Sequence, residues 1–72
     1  MGKRVNEELL GKIALRIKEL REEKKVTQEV FYHDTGINIG RIERAKRNMS
    51  ISTIEEICNY LNVSIEQFFK GF

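Results

Sequence analysis

Thr27-Gln28-Glu29-Val30-Phe31-Tyr32-His33-Asp34-Thr35-Gly36-Ile37-Asn38-Ile39-Gly40-Arg41-Ile42-Glu43-Arg44 is the stretch whose reading decides the fold. It contains two short helical patterns and one break. Val26 and Thr27 read as a staple residue followed by an N-cap, and Glu29 suits the positive end of a first turn. Val30, Phe31, Tyr32 and His33 carry that helix on. Asp34-Thr35-Gly36 then joins two capping residue types to a glycine, which punctuates one helix from the next. Ile39 and Ile42 give the second helix an apolar side that continues to about Arg44.

The flanks are also helical. From about Asn6 to Glu23, the residues Leu10, Ile13, Ala14, Ile17 and Leu20 recur at the spacing of one helix face, with Lys12, Arg16, Glu19 and Glu23 opposite. Glu8 precedes Lys12 in the favourable order for a surface pair. Gly11 lies inside this pattern and costs about 1 kcal/mol relative to alanine. Lys24-Lys25 ends the helix with cations at its negative pole. Beyond the middle, Ala45 to Met49 reads as a polar loop. Ser50 or Ser52 caps a fourth helix, and Ser52 with Glu55 has capping-box spacing. Ile54, Ile57, Cys58 and Leu61 form its apolar stripe, and Asn62 suits its C-cap. Ser64 and Gln67 suggest another capping box before a last helix, Ile65 to about Phe69, in which Phe68 or Phe69 closes the core. The expectation is an all-α fold of five helices in an orthogonal bundle, one domain over 1–72 with its core at about 7–69.

Composition narrows the class. The chain has 72 residues, 40% of them hydrophobic and 33% charged, with no proline and scattered glycines. Such a small domain buries only about 60% of the surface its unfolded chain exposes. One cysteine, Cys58, leaves no disulfide framework or thiolate cage. No apolar run suits a membrane span or a signal peptide, so no membrane partner and a cytoplasmic location are expected. The net charge is only +2. Its distribution says more: Arg41, Arg44, Lys46 and Arg47 cluster around a lone Glu43, while acids gather at Glu7-Glu8, Glu19 to Glu23 and Glu55-Glu56. A local basic patch of this kind suits a phosphate backbone.

Catalytic and metal chemistry find little support. His33 stands without partners at metal-ligand spacing and reads as a surface residue of the second helix. Cys58 lies on an apolar stripe and reads as a core thiol. Glu55-Glu56 is a helix-surface pair, and the glycines form no phosphate-binding loop. No enzyme activity, metal, cofactor or small-molecule effector is expected.

Three segments resemble the Cro/C1-type (XRE-like) helix-turn-helix family of transcriptional regulators: Ile17-Lys18-Glu19-Leu20-Arg21-Glu22-Glu23-Lys24-Lys25-Val26-Thr27-Gln28-Glu29, then Ile42-Glu43-Arg44-Ala45-Lys46-Arg47-Asn48, then Leu61-Asn62-Val63-Ser64-Ile65-Glu66-Gln67-Phe68-Phe69. Together they cover about Leu10 to Phe69. The resemblance implies a lambda-repressor-like fold with the helix-turn-helix at helices 2–3. It implies binding of double-stranded DNA, a bacterial or phage origin, and a homodimer that reads a two-fold site. It further implies a structural ion pair between Arg21 and Glu43, Gln28 at a phosphate together with the backbone amides that open helix 2, and Arg44, Lys46, Arg47 and Asn48 in a loop resting on the DNA backbone.

The chain departs from the family in its centre. The interval from Thr27 to Glu43 is roughly three residues shorter than the family's. Two registers accommodate this. In one, Gly36 is the turn glycine and the recognition helix is cut to Ile39 through Arg44. In the other, Thr35 caps a full-length recognition helix beginning at Gly36, and helix 2 and the turn are shortened. The second is the expectation, because it supplies an N-cap and places Asp34 near the positive pole. Its groove-facing positions are Gly36, Ile37, Asn38 and Arg41, with Thr35 at the helix start. Arg41 would suit guanine, Asn38 adenine and Ile37 a thymine methyl, unless Ile37 is an ordinary core residue. Tyr32 occupies a position where the family has a small residue between helices 2 and 3, so a changed crossing is expected, with the hydroxyl free to reach phosphate. Ala45 and Met49 replace a glycine and a proline. These departures, with the aromatic tail Phe68, Phe69 and Phe72, leave a second reading: an antitoxin-like protein-interaction module of the same fold.

Overall fold

The computed structural model describes residues 7–45 and 49–72, which form α1 (Glu7–Glu23), α2 (Gln28–Thr35), α3 (Ile39–Ala45), α4 (Ile51–Leu61) and α5 (Ile65–Phe68). α1 is the long element. It carries Glu7 and Glu8 in its first turn and buries Leu10, Ile13, Ala14 and Ile17 along one face. α1 packs against α3 and α4, α2 against α3, and α4 against α5. Phe31 from α2, Ile39 from α3, Ile54, Ile57, Cys58 and Leu61 from α4, and Phe68 from α5 complete one core. Among the described residues, none lies in a strand, and no helix is long and apolar enough to cross a membrane.

Local signals set most boundaries. α1 ends where Lys25 turns left-handed at φ 60°. The amide of Val26 then reaches back to the carbonyl of Arg21 (2.9 Å) and that of Lys25 to Glu22 (3.0 Å), so orphan carbonyls are satisfied in a Schellman turn. Thr27 caps α2, its hydroxyl accepting from the amide of Val30 at 3.1 Å. Ser50, rather than Ser52, caps α4 through the amide of Thr53; Ser52 lies within the helix. Asn62 is left-handed at its end, with the amide of Val63 on the Cys58 carbonyl. Ser64 and Gln67 form the reciprocal capping box of α5.

The turn between α2 and α3 corrects the expected register. Thr35 is the last residue of α2, not the cap of α3. Gly36 is left-handed at φ 78° and donates its amide to the Tyr32 carbonyl at 2.8 Å, so it terminates α2. That conformation is nearly free for glycine and costly for other residues. Asn38 takes the capping role instead: its Oδ1 accepts from the amide of Arg41 at 3.1 Å, and its carbonyl accepts from Ile42 at 3.4 Å. The Thr35 hydroxyl is spent within the turn, donating to the Phe31 carbonyl (2.8 Å) and accepting from the amide of Ile37 (3.0 Å). The shortening therefore falls on α3. Tyr32, too large for the family's close crossing of helices 2 and 3, is 56% exposed.

The tail is docked. Phe68 is buried, Phe69 packs against the core, and Phe72 stacks edge-on against Phe69 with ring centroids 5.0 Å apart. Arg16 holds this end by donating to the Lys70 carbonyl at 2.6 Å and lying over the Phe72 ring at 5.6 Å. A second tie joins α2 to α4. The Tyr60 hydroxyl donates to the carboxylate of Asp34, and the Tyr60 ring meets Phe31 edge-on at 4.9 Å. The hydroxyl, and secondly His33, hold the Asp34 carboxyl below its ordinary value of 3.8. The same bond raises the Tyr60 phenol above 10.0, with burial and the Asp34 charge adding. The lowered Asp34 gives stability that is present above its ordinary value and lost as pH falls through its folded value. The raised Tyr60 gives stability that is present below its ordinary value and lost as pH rises through its folded value. Tyr60→Phe should therefore flatten the stability profile at both ends, in urea unfolding below pH 3.8 and above pH 10.0, and change its shape little between them.

Candidate nucleic-acid interface

α3 has seven residues, which is about 10 Å of helix and too short to persist alone in water. Its position comes from two anchors. Ile39, fully buried, fixes one side in the core. Glu43 fixes the other. Arg21, near the end of α1, donates from Nε to Glu43 Oε2 at 3.0 Å and from Nη2 to Oε1 at 3.3 Å. This is the fork geometry in which an arginine meets both carboxylate oxygens. Nη1 donates to the Val26 carbonyl at 3.0 Å, so the guanidinium is shared between α3 and the turn that ends α1. Both side chains are only 9% exposed.

Gln28 joins this group. Its Nε2 donates to Glu43 Oε1 at 2.9 Å, so the side chain points along α3 from the first turn of α2. Its Oε1 lies over Gly40, where an added Cβ would stand 2.9 Å away. The resemblance implied a phosphate partner for Gln28; one hydrogen of its amide serves Glu43, and the residue stays exposed.

The other expected contact residues separate into groups. Arg41 is exposed on α3, and Asn38 is exposed just before it. Asn38 has committed Oδ1 to the helix cap, whereas bidentate reading of adenine needs that oxygen as well as the amide nitrogen. Ile37 is half-buried and packs against the core. Thr35 is occupied in the turn, and Gly36 is exposed at the end of α2. Arg44 belongs to the last turn of α3. Lys46, Arg47 and Asn48 lie outside the described residues. His33 is exposed beside Asp34.

No group of three or more His, Cys, Asp or Glu side chains among the described residues is arranged to hold a metal ion. Cys58 is buried on α4, and burial, with Glu55 adding, pushes its thiol above the ordinary value of 9.0. A raised thiol is a poor nucleophile at neutral pH.

Sequence reasoning missed the Val26 carbonyl as a partner of Arg21, the capping role of Asn38 and the Asp34–Tyr60 bond. Only the second had a local signal. Asn38 is a capping residue type placed shortly after a glycine suited to ending a helix.

Removing one partner of a buried, hydrogen-bonded ion pair leaves the other charge unsatisfied, at a cost of about 3–5 kcal/mol. Arg21→Met and Glu43→Leu should each lower the unfolding free energy by an amount of that order. The double variant should be less destabilised than the sum of the two, as read by urea denaturation in a double-mutant cycle.

A protein-family model for the Cro/C1-type HTH DNA-binding domain matches residues 16–70. No curated protein and no solved structure matches the chain. The matched span runs from within α1, past the Arg21–Glu43 pair and the α2–turn–α3 unit, to the residues just after α5. The chain belongs to the Cro/C1-type helix-turn-helix DNA-binding domain family.

Proposed function

We propose that the protein is a sequence-specific transcriptional regulator that presents α3 to the major groove of double-stranded DNA. The observation that carries this reading is the locked position of α3. A short helix held by Ile39 and Glu43 leaves Arg41 exposed on its outer side. Arginine is the side chain best suited to paired hydrogen bonds with the O6 and N7 atoms of guanine. Asn38 contributes its amide nitrogen, and Gly36 allows close approach of the turn. Arg44, Lys46, Arg47 and Asn48 supply the phosphate contacts that the family resemblance implies.

So short a reading helix offers few base contacts. Two copies related by a two-fold axis would double them, on half-sites about 34 Å apart. A homodimer on an inverted repeat is therefore part of the proposal.

One observation favours a second reading, an antitoxin-like interaction module of the same fold. Val30 and Tyr32 on α2 are 47% and 56% exposed, and exposed apolar surface suits a protein partner.

Selection from a random duplex library at moderate salt distinguishes the two. The regulator should enrich a short inverted repeat containing guanine in each half-site. Arg41→Ala should relax preference at one position per half-site, at a cost of about 1–3 kcal/mol. Lys46→Ala or Arg47→Ala should weaken all sequences alike and reduce the salt slope by about one. No enrichment, together with a stable complex with a protein encoded nearby, would sink the regulator reading in favour of the interaction module.

A further inference from the structure

The glutamine that opens α2 is exposed, yet its amide is bonded along α3 to Glu43. Its Nε2 is 2.9 Å from Glu43 Oε1, the oxygen that also receives Arg21 Nη2. Its Oε1 lies where a side chain at position 40 would begin: a Cβ there would stand 2.9 Å from Oε1 and 3.4 Å from Cδ of Gln28. The first distance is well inside van der Waals contact. Glycine is also an unfavourable choice within a helix, by about 1 kcal/mol against alanine, and Gly40 is not in the left-handed conformation that would require it. Its missing side chain is accounted for by the space that Gln28 occupies.

We infer that Gln28, Gly40 and Glu43 form a clasp between α2 and α3, in which Gln28 is a positioning residue for the recognition helix and not a phosphate contact. Arg21 secures Glu43 from α1, and Gln28 secures the same carboxylate from α2. The two donors bring three helices to one side chain. The bare Cα at position 40 admits the glutamine, so the cost of glycine in α3 is offset by the second donor on Glu43. The consequence for DNA rests on the regulator reading above; the clasp itself does not.

The test is a double-mutant cycle on the full chain, read without DNA. Gly40→Ala alone forces the Gln28 amide to shift off Glu43, so its Tm change should lie on the order of 4–8 °C below that of the same substitution in a Gln28→Ala background. In a Gln28→Ala background the same Gly40→Ala substitution meets only Asn38 Oδ1, at an ordinary 3.5 Å. It should leave Tm unchanged or raise it, because alanine favours the helix. The proton resonance of Arg21 Nε should move in Gln28→Ala and in Gly40→Ala alike, since both change the carboxylate that it donates to. Equal Tm shifts from Gly40→Ala in both backgrounds, with the Arg21 resonance unmoved by Gln28→Ala, would overturn the clasp. DNA affinity is measured separately. On the positioning role, Gly40→Ala weakens DNA binding as much as Gln28→Ala, and the double variant is no weaker than either. Weakening by Gln28→Ala but not by Gly40→Ala marks a phosphate contact and contradicts the positioning role. A wild-type chain that binds no DNA refutes the regulator reading and leaves the stability cycle to decide the clasp.

Discussion

The guanidinium of Arg21 is the constraint on which the rest of the structure depends. It is buried at the meeting point of α1, α3 and the turn before α2, and all three of its nitrogens donate: to both oxygens of Glu43 and to the carbonyl of Val26. A buried charge is tolerable only when it is paired and hydrogen-bonded in this way. Among the described residues no buried side-chain polar atom is left without a partner. Such a pair contributes less to net stability than to geometry. Its oxygens and nitrogens meet in one arrangement, and that arrangement sets where α3 lies.

The dependence is stronger because α3 is short. A longer recognition helix can be held by several apolar residues along its face. Here Ile39 is fully buried and Ile42 is half-buried. Glu43 takes over as the second anchor, and Gln28 reaches it from α2. On the proposed function, the same shortening narrows the surface that α3 offers to a groove. Asn38 is drawn into capping, Ile37 packs against the core, and Arg41 remains exposed with its side chain free of any structural duty shown by the described contacts. These side-chain roles thus have one origin, the length of a single helix.

Much of this was legible in the sequence. The stripes of α1 and α4 follow from apolar residues at helical spacing, and the caps at Thr27, Asn62 and Ser64 from residue types with one dominant local role. Placing Arg21 and Glu43 together needed the family resemblance, since nothing local links residues on separate helices. The turn was misjudged because Thr35 and Asn38 are both competent caps, and choosing between them depends on the backbone of Gly36. A left-handed Gly36 ends α2, and Asn38 then becomes the cap. Tyr32, which the family pattern marks as too large for a tight crossing, is exposed. The Asp34–Tyr60 and Gln28–Gly40 contacts are tertiary and carry no sequence signature.

Native-state hydrogen exchange on Arg21→Met tests whether the Arg21–Glu43 pair holds α3 in place. Local opening exposes amides more often the lower the stability of their own segment. The account predicts that the α3 amides, with Ile42 and Glu43 as probes, lose far more protection than those of Ile57 and Cys58 in α4. Equal loss in the two helices, or full protection of α3, would contradict it.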